Sequence, residues 1–191
     1  MDRTVDQIRN DVSEAYGKRV TGASTGSCCS NVPAKGGTDI RNNDFPLLAG
    51  YASEDLGALP ADAVTNSFGC GNPLALAGIR AGDVVLDLGS GAGIDLILAS
   101  RKVGPTGRVI GVDMTDEMIF RANRNILEKK INNVEIRKGL IEDLPLRDSS
   151  VDWVISNCVI NLSPEKPRVF GEIFRVLKPG GQMLVSDIMA K

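Results

Sequence analysis

The chain has 191 residues, of which 42% are hydrophobic, and its 22 Lys and Arg residues nearly balance its 24 Asp and Glu residues. This length and apolar content predict one globular domain with some additional structure. The chain has no basic stripe for phosphates, no apolar run near the roughly 20 residues of a membrane-spanning helix, and no secretory signal. We therefore expect a cytoplasmic protein with no nucleic-acid partner and no membrane partner.

The sequence contains no histidine and four cysteines, which are Cys28, Cys29, Cys70 and Cys158. The commonest general base, the commonest metal ligand and the Ser–His and Cys–His nucleophile pairs are therefore excluded. No two cysteines have the C-x-x-C spacing of a redox or zinc motif. In a reducing cytoplasm we expect thiols rather than a disulfide framework.

The N-terminal part of the chain is predicted to be helical at both ends and irregular between them. Apolar residues at helical spacing predict a helix over 4–20 with Thr4 as its N-cap. Residues 21–43 are rich in Gly, Ser and Thr and predict a long loop. Short helical pieces are expected over 53–79, one of them starting at Pro73, a residue suited to a first helical turn.

From residue 83 onward, predicted strands and helices alternate. The predicted strands are 84–88, 108–112, 134–138, 151–156 and 182–187. The predicted helices are 95–103, 115–130 and one that opens at 163–165 and ends at 178–181. Apolar strands alternating with helices indicate a doubly wound, mostly parallel Rossmann-like α/β sheet with helices on both faces. We expect residues 1–72 to form a cysteine-bearing cap and residues 73–191 to form the core.

The first strand runs into a glycine-rich turn in the sequence VLDLGSGAGID, residues 85–95. Gly89, Gly91 and Gly93 lack Cβ atoms and let backbone amides approach a ligand at the carboxyl end of the strand. A simple tight turn would also use glycines, but their spacing differs from the G-x-G-x-x-G of dinucleotide sites. Asp113 stands about 20 residues beyond the turn, where a carboxylate can accept hydrogen bonds from both ribose hydroxyls. The pattern indicates a ligand with a ribose and without a required pyrophosphate.

Four motifs between residues 83 and 187, VLDLGSGAGID, GVDMT, GLIEDLPL and RVLKPGGQMLVSD, resemble the class I S-adenosylmethionine-dependent methyltransferases. The resemblance implies that S-adenosylmethionine is the cofactor and supplies the electrophile. Asn157 is a further candidate for a cofactor hydrogen bond, although a plain turn role is an alternative. The other implied cofactor residues are Asp87, Gly89, Ser90 and Gly91 at the methionine end, Asp113 at the ribose, and Met114, Ile141 and Glu142 around the adenine.

The contexts of the cysteines, FGCGNP, SNCVINL and TGSCC, are similar to those of the arsenite S-adenosylmethionine methyltransferases. This resemblance spans nearly the whole chain. It implies that Cys70 and Cys158 ligate arsenic(III), with Cys28 or Cys29 as a third thiolate. Arsenic(III) is soft and prefers sulfur, and a pyramid of thiolates leaves its lone pair free to attack the methyl group. A thiol reductant is then a partner, and no general base is required.

Two positions depart from the arsenite methyltransferase pattern. Phe68 stands where the family often has tyrosine, which keeps a stacking contact near the cofactor and loses a hydroxyl. The family also has a further thiol and a substrate-binding region beyond strand five, and class I folds add an antiparallel hairpin there. The chain ends at Lys191, so we expect a truncated form with an intact cofactor site, an incomplete arsenic site and impaired turnover.

Two alternatives remain open on the sequence. The first is a methyltransferase of a quinone or another small organic acceptor, for which the cysteines would be incidental. The second is a non-catalytic, thiol-rich sensor or scavenger of soft metals that retains the methyltransferase fold. A nicotinamide oxidoreductase is disfavoured by the glycine spacing.

Overall fold

The computed structural model of the chain describes residues 3–22 and 45–188. The predicted loop 21–43, with Cys28 and Cys29, therefore lies almost entirely outside the described residues. Within the described ranges, no helix is both long enough and apolar enough to cross a membrane.

The N-terminal helix α1 covers Val5–Val20 and begins at Thr4, as predicted. The Thr4 hydroxyl accepts a hydrogen bond from the backbone N–H of Gln7, and the Gln7 side chain accepts one from the backbone N–H of Thr4. Two of the donors that a helix N-terminus leaves without partners are satisfied in this reciprocal way. The start of α1 is therefore fixed by its own sequence.

Short helices follow between residues 45 and 76. Pro73 is the first residue of the last of them, as predicted, and the Asn72 side chain caps it by accepting a hydrogen bond from the N–H of Ala75. Proline loses no hydrogen bond at this position because the first turn has no intrahelical acceptor. The four helices in this part of the described chain are α2 (Phe45–Leu48), α3 (Ser53–Gly57), α4 (Ala61–Thr65) and α5 (Pro73–Leu76).

The core is a parallel sheet in the order β3-β2-β1-β4-β5. Every named strand pair among the described residues is parallel. Leu88, at the end of β1, pairs with Val112 on one side and with Ser156 on the other, so the strand ends are level at one edge. The strands are β1 (Val84–Leu88), β2 (Arg108–Asp113), β3 (Val134–Lys138), β4 (Val151–Asn157) and β5 (Leu177–Ser186).

Helices cover both faces of the sheet, as the doubly wound prediction requires. Val85 faces a cluster with α6 (Ile94–Val103) and the short helices, whereas the next residue, Leu86, faces a cluster with α8 (Lys166–Val176). The helix α7 (Asp116–Glu128) packs on β3 and also contacts α1 and α4. The predicted fold class is confirmed, and the described cap helices pack directly on the core.

The fifth strand is longer than predicted. It covers Leu177–Ser186 rather than 182–187, and α8 ends one residue before it. Leu177 pairs with Val151, and the register then shifts before pairing resumes at Trp153. The Pro-Gly-Gly run between these two pairings therefore belongs to an irregularity inside the strand. Such residues are tolerated at an edge strand or bulge, where one ladder hydrogen bond is absent anyway.

Two glycine-to-alanine substitutions test this packing. A Cβ atom at Gly111 in β2 would lie 2.7 Å from the Ser90 hydroxyl and 2.9 Å from a Leu96 methyl group, whereas Gly171 in α8 has nothing within 4 Å. Gly111→Ala should lower the free energy of unfolding by about 1–3 kcal/mol because the space is already filled. Gly171→Ala should raise it by about 1 kcal/mol because alanine favours a helix. Urea unfolding measures both, and equal effects would contradict the packing at β2.

Candidate active site

A cleft lies at the carboxyl ends of β1, β2 and β4. The strand order reverses at β1, and crossovers on opposite faces leave a crevice at such a point. The cleft encloses about 1030 Å³, part of it open to solvent. All of the residues predicted to bind the cofactor line it, together with three side chains of α1. The predicted residues are Phe68, Asp87, Gly89, Ser90, Gly91, Asp113, Met114, Ile141, Glu142 and Asn157, and the α1 residues are Arg9, Val12 and Tyr16.

The glycine turn after β1 is held against the end of β2. The backbone N–H groups of Gly89 and Ser90 both donate to the carbonyl of Val112, at 2.8 and 3.2 Å. Gly89 has φ +65° in the left-handed region, and a Cβ atom there would overlap the side chain of Val159. Only glycine satisfies both conditions without strain. The requirement for a bare backbone at this turn is thus steric as well as functional.

Asp113 links the end of β2 to the glycine turn and to α7. One carboxylate oxygen accepts a hydrogen bond from the N–H of Gly91 at 2.9 Å, and the other accepts one from the N–H of Thr115 at 2.9 Å. Burial raises the pKa of Asp113, and these backbone hydrogen bonds partly oppose the shift. The carboxylate that we predict to bind the ribose is therefore fixed in orientation before any ligand arrives.

Two further buried carboxylates, Asp87 and Asp95, share the cleft with Asp113. Burial raises the pKa of Asp95 to about 6, even though Tyr51 and Asn157 donate hydrogen bonds to it. The pKa of Asp87 is raised well above its ordinary value by burial and by repulsion from Asp95 and Asp113. Burial disfavours the charge of all three carboxyl groups, and at Asp87 the acidic neighbours add to this effect, so a nearby cation would stabilise their charged forms. The cleft is suited to a positively charged ligand.

Glu142 differs from these three carboxylates because a cation of the chain itself lies beside it. It accepts a hydrogen bond from the Ser163 hydroxyl at 2.7 Å, and the Arg9 guanidinium lies 3.4 Å away. Arg9 also pairs with Glu165 at 2.5 Å. These ion pairs hold helix α1 against the cleft at Glu142, the residue that we predict to contact the edge of the adenine.

Asn157, the last residue of β4, uses its amide on the protein. Its side-chain oxygen accepts hydrogen bonds from the backbone N–H groups of Cys70 and Gly71, at 3.0 and 3.2 Å. Its amino group donates to the carbonyl of Gly71 at 2.6 Å, to the Tyr51 hydroxyl at 3.0 Å and to Asp95 at 3.3 Å. The sequence predicted a cofactor contact or a turn role for Asn157. Its partners connect the cleft to the backbone that carries Cys70, and the cofactor contact stays a prediction.

Cys70 and Cys158 meet at the edge of the cleft that Cys158 lines. The structure joins them as a disulfide with their Cα atoms 6.0 Å apart, which differs from the expectation of free thiols throughout. Cys158 lines the cleft and has φ +58°, a left-handed conformation that few non-glycine residues adopt. Gly69 and Gly71 flank Cys70 because Cβ atoms at these positions would overlap the side chains of Asn157 and Ser186. Two sulfur atoms from distant parts of the chain thus converge on one point.

Phe68 lies between α1 and the cleft. Its ring makes an edge-on contact with Tyr16, with centroids 5.9 Å apart, and the Arg19 guanidinium lies 4.2 Å from its centroid. An aromatic ring in these contacts needs no hydroxyl, so phenylalanine suits the position. Its predicted contact with the cofactor stays a prediction.

Among the side chains of the site that were not assigned from the sequence, four make contacts important to its geometry: Asp95, Asp187, Arg9 and Tyr51. Asp95 lies inside the quoted glycine motif, and its position in the first turn of α6 could have indicated it. Asp187 directly follows β5, as Asp113 ends β2, so its place at the same sheet edge was also accessible. Arg9 and Tyr51 carry no such signal, because only tertiary packing brings them to the cleft.

Comparison with known proteins agrees with this geometry. A family described as a methyltransferase domain matches residues 79–191. The chain belongs to that family. An arsenite methyltransferase from Halobacterium salinarum is 43% identical over 200 residues, which cover 98% of this chain and 49% of that relative. A demethylmenaquinone methyltransferase from Listeria monocytogenes is 33% identical over 109 residues, which cover 57% of this chain and 46% of that relative.

A solved structure extends the likeness to three dimensions. The crystal structure of an arsenic(III) S-adenosylmethionine methyltransferase from Chlamydomonas reinhardtii matches with a TM-score of 0.65 and 43% identity. The match covers 70% of this chain and 47% of that one. The chain spans about half the length of the curated arsenite methyltransferases it matches. The predicted membership of the methyltransferase superfamily is confirmed.

The cofactor of this family's cleft is S-adenosylmethionine, and the residues present fit it. Its ammonium and sulfonium groups supply the positive charge that Asp87 and Asp95 favour. We predict that its two ribose hydroxyls donate to Asp113, whose carboxylate is already oriented. The glycine turn leaves room for close approach of the methionine end. No phosphate-binding feature is needed, in agreement with the glycine spacing.

The raised pKa of Asp87 predicts opposite effects of Asp87→Asn on stability and on cofactor binding. A raised carboxyl pKa favours the protonated state, so its contribution to stability is complete below pH 3.8 and lost as the pH rises. The cofactor-free variant should therefore melt higher than the parent near neutral pH and equally near pH 4. Its affinity for S-adenosylmethionine near neutral pH should fall about tenfold, because a charged hydrogen bond contributes about 1.5–3 kcal/mol.

Thermal unfolding at the two pH values and calorimetric titration with the cofactor measure these effects. Asp143→Asn is the matched control, because Asp143 is exposed and lies outside the cleft lining. If Asp87→Asn loses affinity for S-adenosylmethionine without gaining thermal stability, the repulsion between Asp87 and its buried acidic neighbours does not destabilise the chain, and the prediction is wrong.

Proposed function

We propose that this chain carries the cofactor site and two thiol ligands of an enzyme that transfers methyl groups from S-adenosylmethionine to arsenic(III). The convergence of Cys70 on Cys158, which lines the cofactor cleft, carries the proposal. Likeness to arsenite methyltransferases over 98% of the chain supports it. If the methyl acceptor were purely organic, these two cysteines would have no role beside the cofactor cleft.

The two cysteines hold the substrate once they are reduced. A thiol reductant supplies two electrons and two protons to the disulfide, and each thiol then displaces one hydroxide from arsenous acid, which leaves with the thiol proton as water. Two As–S bonds replace two As–O bonds, and a further thiol, that of Cys28 or Cys29, is the candidate for the third. Sulfur is the donor that a soft metalloid prefers. No histidine is needed, because ligation itself consumes the thiol protons.

The cleft aligns the reacting atoms. When bound, S-adenosylmethionine would supply an electrophilic methyl group on a positively charged sulfur, a leaving group that keeps the bonding electrons, and the arsenic lone pair would form the new bond. Asp87 and Asp113 fix the two ends of the cofactor, and Cys158 borders the same cleft. Alignment is the main contribution of the protein here, and proximity with orientation contributes about 7–11 kcal/mol in well-aligned reactions.

The required redox state supports a location for the protein. The arsenic ligands act as thiols, and a disulfide between them would block the site. A reducing compartment keeps such a pair open. We therefore propose a cytoplasmic location with a small thiol or a thiol protein as reductant.

Serine substitutions test the proposal. In a single turnover with arsenite, S-adenosylmethionine and a thiol reductant, the parent chain should form methylated arsenic that mass spectrometry detects. Cys70→Ser and Cys158→Ser should each lower the yield at least about tenfold, because a hydroxyl is a poor ligand for a soft centre. Their affinity for S-adenosylmethionine should stay within about twofold of the parent, since neither is assigned to the cofactor.

Two outcomes would contradict the proposal. Methylation of a hydroxyquinone at equal rates in the parent and in both serine variants would favour an organic acceptor. Stoichiometric binding of arsenite with no methylated product in the presence of bound cofactor would favour a non-catalytic sensor.

A further inference from the structure

The two cysteines have a third neighbour. A carboxylate oxygen of Asp187 and the Sγ atoms of Cys70 and Cys158 all lie within 4.8 Å of one another. Asp187 directly follows β5, and Cys158 directly follows the neighbouring strand β4. The parallel sheet therefore delivers an oxygen donor and a sulfur donor to the same corner of its carboxyl edge, opposite Cys70.

The Asp187 carboxylate is held in a fixed orientation by the chain around it. One oxygen, Oδ2, accepts a hydrogen bond from the backbone N–H of Asn161 at 3.0 Å. The other, Oδ1, accepts from the Asn161 side chain at 3.0 Å and from the N–H of Ile188 at 2.9 Å. A carboxylate offers about four lone-pair directions, two on each oxygen. Both directions on Oδ1 are used, and one on Oδ2 is left for a further donor.

The chemistry of the substrate supplies such a donor. Arsenous acid has three hydroxyl groups, and ligation by two thiolates leaves one As–OH group. This hydroxyl is the only hydrogen-bond donor on the bound species. A fixed acceptor beside the two sulfur atoms therefore distinguishes inorganic arsenite from an arsenical whose third substituent is carbon.

We propose that Asp187 accepts a hydrogen bond from the remaining hydroxyl of arsenite bound to Cys70 and Cys158. The inference rests on the proposed function and adds a residue that selects the inorganic substrate. No bond to arsenic forms or breaks in this step. The carboxylate orients the As–OH group, and with it the arsenic lone pair, until a third thiol replaces the hydroxyl.

The test compares two probes that both bind two thiols. Arsenite keeps one hydroxyl after binding, whereas phenylarsine oxide keeps its phenyl group and has no hydroxyl left. The background is Cys28→Ser/Cys29→Ser, in which Cys70 and Cys158 are the only cysteines of the chain. Affinities are measured by anaerobic calorimetric titration of the reduced protein in a phosphine reductant.

Asp187→Asn should weaken arsenite binding about tenfold, because a hydrogen bond to a charged group is lost. Two of the surrounding N–H donors face Oδ1 and one faces Oδ2, so the asparagine oxygen should take the Oδ1 position and its amino group should replace Oδ2. An acceptor then becomes a donor at the position that faces the substrate. Binding of phenylarsine oxide should stay within about twofold. Asn161→Ala, which removes one restraint and keeps the carboxylate, should give a smaller loss confined to arsenite, and Asp143→Asn should change neither affinity.

Each result decides between specific interpretations. Equal losses for both probes would overturn the proposal and make Asp187 a structural residue, and so would unchanged affinity for arsenite. If Cys70→Ser and Cys158→Ser leave phenylarsine oxide binding unchanged, the arsenic site itself is wrong. In that case the proposed function itself is wrong, and not only the role of Asp187.

Discussion

The amide of Asn157 is the interaction on which the site depends. Its oxygen accepts from two successive backbone N–H groups, of Cys70 and Gly71, and its amino group donates to a backbone carbonyl, a phenol and a carboxylate. A side-chain amide offers two N–H donors and an acceptor oxygen in one plane. Aspartate has no donor for the carbonyl of Gly71, and leucine satisfies none of the partners. The segment that carries Cys70 is thus held against the sheet by one side chain.

The same amide connects two sites with different chemistry. On one side it touches Asp95, one of the carboxylates that favour a cation, and on the other it fixes the backbone at Cys70. A shift of Asp95 toward a bound cofactor therefore changes a partner of the residue that positions the first thiol. Tyr51 stands between them, and burial with the nearby negative charge of Asp95 raises the pKa of its hydroxyl, which keeps it a donor.

The carboxylates around the cleft fall into two groups: one whose negative charge is compensated by the protein, and one whose negative charge is available to a cationic ligand. Glu142 faces Arg9 and the Ser163 hydroxyl, so its charge is compensated within the protein. Asp87 and Asp95 face no cation of the chain among the described residues, and burial raises their pKa values. Uncompensated buried charge lowers stability and concentrates at functional sites. The cationic end of a ligand therefore belongs with Asp87 and Asp95.

The sheet and the cofactor residues were predictable because their signals are local. Apolar strands and glycines at strand ends located β1 to β4, and every residue predicted for the cofactor lines the cleft. The predicted start of β5 was wrong because a Pro-Gly-Gly run usually indicates a turn. In the structure this run lies inside the strand, at the register shift between β4 and β5. Arg9 and Tyr51 were missed because helix α1 and the segment before α3 reach the cleft only through packing. The spacing of apolar residues in the sequence does not predict such a contact.

The parallel topology explains why the thiols and the carboxylate meet although residues 70, 158 and 187 are far apart in sequence. Asn157 and Ser186 are paired at the ends of β4 and β5, and the N–H of Cys158 donates to the carbonyl of Ser186 at 2.7 Å. This bond continues the ladder by one residue while Cys158 turns into the left-handed region. Asp187 directly follows Ser186, the last residue of β5. Cys158 and Asp187 are therefore set by adjacent strand ends, and Cys70 is set by the Asn157 amide one residue earlier, so a single sheet corner positions all three groups.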